Sequence, residues 1–194
     1  MKKTLLIIAL TILTITTVKS QEKIQFGVKG GINFTNMTSN FLYNEDYKTG
    51  FHVGALVEIP FGNKFSIQPE ILYATYGTKG EVVLTGLNGP ISGDYYLDYI
   101  QVPLLAKIYV LERISIEIGP SFNFLVNDDE KRGNLSLSDF GDSFEFGGVL
   151  GVSYKLKSDF FGSVRYTNGF TDVIEDEYQE AKNYGFLIGI GYLF

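Results

Sequence analysis

Eight charged residues sit inside segments that are otherwise rich in Phe, Ile, Val and Tyr. The acids are Glu58, Glu70, Glu117 and Glu145. The bases are Lys29, Lys107, Lys155 and Arg165. Each falls out of phase with apolar residues that recur at every second position, so all eight belong to one face. Their chemistry as a set is mutual neutralisation. A charge in a narrow, low-dielectric space is tolerated when it is paired and hydrogen-bonded, or wet. Paired, the eight would form a network that fills a bore; unpaired, they would line an ion path. Glu145 and Arg165 fall on neighbouring strands and are expected to meet, and loss of Glu145 is expected to strand a base.

Other reactive groups are sparse. His52 is the only histidine, and the chain has no Cys, so neither a disulfide nor a thiolate metal site can form. Ser115, Ser121, Ser153 and Ser163 share the polar face with the charges, and none sits in a G-x-S-x-G elbow. The glycine-rich stretches 27–31 and 185–191 lack a G-x-G-x-x-G leading into a helix. Asp128-Asp129-Glu130 matches a calcium loop in composition alone. The expectation is no catalytic residue, no cofactor and no metal.

The elements that must position the eight charges are strands. From Ile24 onward the hydrophobic period is two, giving predicted strands at 24–34, 50–59, 64–76, 95–110, 114–125, 143–156, 160–170 and 183–194. Short connections (Pro60–Asn63, Leu111–Arg113, Lys157–Asp159) alternate with long ones (35–49, 77–94, 126–142, 171–182). In the second long one, Val82–Leu84 could extend a hairpin above a membrane. An even strand number, with short turns at one end and long loops at the other, is the transmembrane barrel pattern. The expected fold is all-β, an eight-stranded antiparallel up-and-down transmembrane β-barrel.

One face is apolar throughout, for example Phe26, Val28 and Ile32, or Ile188, Ile190 and Tyr192. The other carries the charges together with Gln25, Asn33, His52, Gln68, Gln101 and Asn123. Alternation alone leaves two arrangements open, a membrane barrel and a soluble exported barrel with an apolar ligand inside. Glycine favours the first. Gly27, Gly31, Gly54, Gly119, Gly147, Gly151, Gly185, Gly189 and Gly191 lie on the polar face. Mid-strand glycine weakens a strand and repays that cost where space is short, as inside eight strands. Tyr154 and Tyr192 approach the short-turn end and Tyr73 and Tyr166 the loop end, as rim tyrosines would.

Residues 1–20 read as a secretory signal peptide, with Lys2 and Lys3 before an apolar run too short for the ~20 residues of a spanning helix. The barrel domain is then 21–194. Cleavage removes Lys2, Lys3 and Lys19 and leaves 13 basic against 22 acidic residues, a formal charge of −9. Nucleic acid is not an expected partner of such a chain. The long loops hold 14 of the acids against five bases, which suits an extracellular or envelope protein partner of unspecified identity.

The stretches FGVKGGINFTNM, FHVGALVEIPFGNKFSIQPEILY, YIQVPLLAKIYV and GFLIGIGYLF resemble the Bacteroidetes outer-membrane β-barrel family called porin-like, which includes relatives of the gliding and secretion component PorT. The resemblance covers 21–194. It implies residence in the cell outer membrane, contact with outer-membrane lipid, and periplasmic N and C termini. It also implies that the terminal Tyr192-Leu193-Phe194 is read by the outer-membrane assembly machinery, through Phe194. It implies no enzyme and no particular role. The expected function is a small integral outer-membrane protein with a structural, surface-interaction or envelope-assembly role and a bore plugged by paired charges. The alternatives are a narrow gated pore for small solutes and the soluble ligand-binding barrel.

Overall fold

The computed structural model describes residues 23–40, 43–82, 91–132, 135–137, 141–156, 158–174 and 180–194. The expected signal peptide therefore lies outside the described residues. Eight long strands form the wall: β1 (Gln25–Ser39), β2 (Tyr43–Pro60), β3 (Phe65–Val82), β4 (Ile91–Leu111), β5 (Ile114–Arg132), β7 (Phe144–Lys155), β8 (Phe160–Gly169) and β9 (Ala181–Leu193). A three-residue strand, β6 (Leu135–Leu137), pairs only with the end of β5 among the described residues. Every pairing is antiparallel, and each wall strand pairs with the wall strands that precede and follow it. The sheet closes on itself where β1 meets β9, from Gly27↔Leu193 to Ser39↔Ala181. Closure leaves no open edge in the wall, so backbone donors and acceptors are satisfied in hydrocarbon.

The two faces separate as their chemistry requires. The Phe, Ile and Val positions point outward: Phe26 is 62% exposed, Ile71 56% and Ile190 58%. Lys29, Glu70 and Arg165 point inward and are buried. The apolar-interior arrangement of a soluble ligand-binding barrel is thus not the one adopted. Aromatic residues gather at both ends of the apolar band. Tyr192 packs on Phe160 and Phe194 with ring centroids 4.9 and 5.3 Å apart. At the other end, Phe51 meets Tyr73 at 5.9 Å and Tyr166 meets Phe186 at 5.3 Å. These are the depths where a ring is apolar-packed and a hydroxyl can stay wet.

The short connections are tight. Phe61 N–H donates to Phe65 O at 2.8 Å, with Gly62 at φ +80° supplying the left-handed step. Leu156 N–H donates to Phe160 O at 2.7 Å.

Much of what the alternation marks as long loop is in fact strand. β1 runs to Ser39 and β2 starts at Tyr43; β3 reaches Val82, paired with Ile91 at the start of β4; β5 continues to Arg132. Leu84, the far end of the expected hairpin extension, lies outside the described residues. The extensions carry little two-period hydrophobic signal because, above the apolar band, the outer face no longer needs to be apolar. Their ladder hydrogen bonds form all the same.

Candidate functional site

The charged bore is built from strands spaced around the whole wall. Counting around the barrel, β1, β3, β5 and β8 stand at successive quarter positions. They contribute Lys29, Glu70, Glu117 and Arg165 respectively. Arg165 grips both acids. Its Nη1 and Nη2 donate to the two Glu70 oxygens at 2.7 Å each, and its Nε donates to Glu117 Oε2 at 2.6 Å. The first contact crosses the bore to the diametrically opposite strand and has the bidentate geometry that favours Arg over Lys. Lys29 Nζ lies 3.8 Å from Glu70. Gln68 Nε2 also donates to Glu70.

A second ion pair lies nearer the short-turn end. Lys107 Nζ is 3.0 Å from Glu58 Oε2 and 3.8 Å from Glu117 Oε1, and it also donates to Gln68 Oε1 at 3.0 Å. Glu58 further accepts from Ser66 at 3.2 Å and from the Tyr109 hydroxyl. The Lys107 ammonium stands 5.7 Å from the ring centres of both Tyr109 and Phe161. Phe161 packs with Leu56 and Leu193 in a small apolar cluster at this level.

Large side chains fit here because glycines face them. A Cβ on Gly151 would stand 2.7 Å from Arg165 Cγ, and one on Gly189 would stand 2.8 Å from His52 Nε2. Both are closer than real Cβ contacts allow. Gly151 is also the cross-strand partner of Arg165, so the register sets the smallest residue beside one of the bulkiest.

Two of the eight charges stand apart from this cluster. Arg165 is opposite Gly151, whereas Glu145 lies six positions further along β7, about 20 Å away at strand spacing. The expected Glu145–Arg165 pair is therefore not made, because register rather than strand adjacency decides which charges meet. Glu145 instead accepts from Asn123 Nδ2 at 3.1 Å and Asn183 Nδ2 at 3.3 Å. Its loss would strand two amides and no base. Lys155 donates to Gln25 Oε1 at 3.0 Å, near the short-turn end. His52 is buried, with Nδ1 2.7 Å from Asn33 Oδ1 and Nε2 without a hydrogen-bond partner.

Toward the loop end the bore turns apolar. Met37, Ala74, Tyr76, Leu97, Tyr99, Ala181 and Leu187 cluster there, joined by Val173 and Ile174 from the connection after β8. Val173 N–H donates to Ala181 O and Asp142 N–H to Val173 O, both at 2.9 Å, and Ile174 bridges Gly141. Two apolar residues in an acidic connection thus fold inward as a strap. Their alternation-free, five-acid context gave no sign of it; the Val-Ile pair itself was the one available signal. Among the described residues, no three His, Asp or Glu groups come together as metal ligands.

Comparison with known proteins agrees with this architecture. The neisserial surface protein A aligns over 89% of this chain and 100% of its own, with TM-score 0.59 and 13% identity. The outer membrane protein OprG from Pseudomonas aeruginosa aligns over 92% and 99%, with TM-score 0.57 and 16% identity. Ail, the attachment invasion locus protein of Yersinia pestis, was solved with the heparin analogue sucrose octasulfate. It aligns over 89% and 99%, with TM-score 0.54 and 13% identity. At these identities the likeness is one of fold. No curated protein sequence matches the chain. The family model described as "outer membrane protein beta-barrel domain" matches residues 19–175. A closed barrel with an apolar exterior is what that description requires, and the chain belongs to this outer-membrane β-barrel family.

Proposed function

We propose that the chain is a small integral outer-membrane protein whose bore is sealed, and whose role is structural, at the cell surface or in envelope assembly. The observation that carries this reading is the Arg165 contact across the bore to Glu70, with Glu117 and Lys29 completing the same cluster. Side chains from four quarter positions meet in this one cluster, which supports a closed bore. Planar-bilayer recording tests it: the purified protein is expected to give no reproducible single-channel steps, and regular steps would refute the seal.

A narrow gated passage is the second reading, and the inward position of Val173 and Ile174 at the loop end of the bore favours it. It needs the ion cluster to open as well. In bilayer recordings this reading requires conductance in a variant lacking residues 171–174.

Further details belong to the same proposal. The short turns, the start of β1 and the end of β9 share one end of the barrel, which supports periplasmic termini. Phe194 is 70% exposed beside Tyr192, which suits recognition by the assembly machinery. Residues 1–20 would be the cleaved signal and 21–194 the mature barrel, whose motifs resemble those of the porin-like Bacteroidetes group. Ail was solved with a polyanion, whereas the long loops here are acidic. A surface partner of this chain would therefore present positive charge.

A further inference from the structure

Between the short turns and the Lys107–Glu58 pair lies a cavity of about 500 Å³, open to solvent. Its lining includes Lys23, Gln25, Glu58, Tyr109, Glu112 and Lys155. Beyond it the bore is crowded by side chains. Glu58 is already held by Lys107, Ser66 and Tyr109, with the Leu56, Phe161 and Leu193 cluster at the same level. On the sealed-bore reading proposed above the cavity is a blind vestibule, and its size falls in the range of small-molecule sites.

The charges in this vestibule are less fully engaged than those deeper in the bore. Among the described residues, the Lys155 ammonium donates to the neutral amide oxygen of Gln25 and forms no ion pair with a carboxylate. Lys23 and Glu112 are exposed. Glu112 is adjacent in sequence to Arg113, whose carbonyl accepts the Lys155 N–H at 2.8 Å. Opposite charges therefore stand on neighbouring strand ends without bridging each other. With Glu58 neutralised by Lys107, the vestibule has two cations against one anion, in a chain that is acidic as a whole.

We propose that this vestibule binds a small zwitterionic solute of the amino-acid or short-peptide class, its carboxylate on Lys155 and Lys23 and its ammonium on Glu112. Charge-assisted hydrogen bonds at a partly desolvated lysine give the carboxylate a defined position. The blind end limits length, and Tyr109 offers an aromatic wall. That the solute is met in the periplasm rests on the orientation proposed above; binding itself does not.

The test is titration calorimetry on the full chain refolded in detergent micelles, with L-alanyl-L-alanine as probe. Saturable one-to-one binding is expected. It should weaken about tenfold when the probe's carboxylate is amidated, when its amine is acetylated, and in K155Q. K23Q, altered outside the strands, should weaken binding without touching the barrel. E112Q should bind the free and acetylated dipeptides equally. Absence of saturable binding, equal binding of the amidated probe, or unchanged affinity in both K155Q and K23Q would overturn the proposal. So would inorganic phosphate binding as tightly as the dipeptide, which would leave a mere anion site.

Discussion

Arg165 is a single side chain on which two buried acids depend. Glu70, Glu117 and Lys29 are all buried, and Glu70 is held from both sides. Breaking a buried ion pair leaves an uncompensated charge, which costs about 3–5 kcal/mol. E70Q should therefore lose about that much in urea unfolding from lipid vesicles. A cycle of E70A, R165A and the double variant should return a coupling energy above about 1 kcal/mol. A coupling near zero would mean that the two charges are solvated independently. E145Q should behave differently, because the acceptor that Asn123 and Asn183 use survives in the amide; its loss should stay within about 1 kcal/mol. Gly151→Val should cost about 1–3 kcal/mol by driving a branched side chain into Arg165 Cγ. The eight charges and their common face were legible in the sequence, as was the glycine set that shares that face. Their pairing was not, since partners lie across the bore and as far apart in sequence as Glu70 and Arg165, and nothing local encodes such a contact.

At the scale of elements, the wall strands and their turns follow directly from alternation, because each spans an apolar medium on one side and a packed bore on the other. Where the outer medium becomes water, alternation ends while pairing continues. That is why β3 runs to Val82 and β5 to Arg132 past the expected ends. The strap after β8 is the element least visible in sequence, since two apolar residues carry it. Val173→Asp would place a charge in the apolar cluster of Tyr76, Leu97 and Tyr99. The expected result is local release: the Asp142 and Val173 amides, which donate to Val173 O and Ala181 O, should exchange with deuterium much faster. The barrel's unfolding midpoint should barely move. If the midpoint fell with the exchange, the strap would belong to the cooperative core rather than lie upon it.

The whole molecule is a polar core inside an apolar skin, the reverse of a soluble domain. Exposed Phe26, Ile71, Ile118, Ile188 and Ile190 are spread around the wall, a surface too large and continuous for water to solvate without association. The protein should stay with membranes through alkaline carbonate and come away only with detergent. Release into the carbonate supernatant would contradict an integral barrel. The loop end and the short-turn end also differ in charge, with acids crowded into the long connections and Lys23, Lys64, Arg113 and Lys155 at the turns.

The ion cluster also constrains the order of assembly. Glu70 on β3 and Arg165 on β8 become neighbours only when the first and last strands join, because they face each other across a ring that must first close. Until then, an open, half-inserted sheet would carry bare carboxylates and a bare guanidinium on one side. Such a sheet can enter hydrocarbon only with that side shielded by water or by a helper protein. Insertion and curling should thus finish together, with neutralisation of the interior as the final step that locks the wall shut.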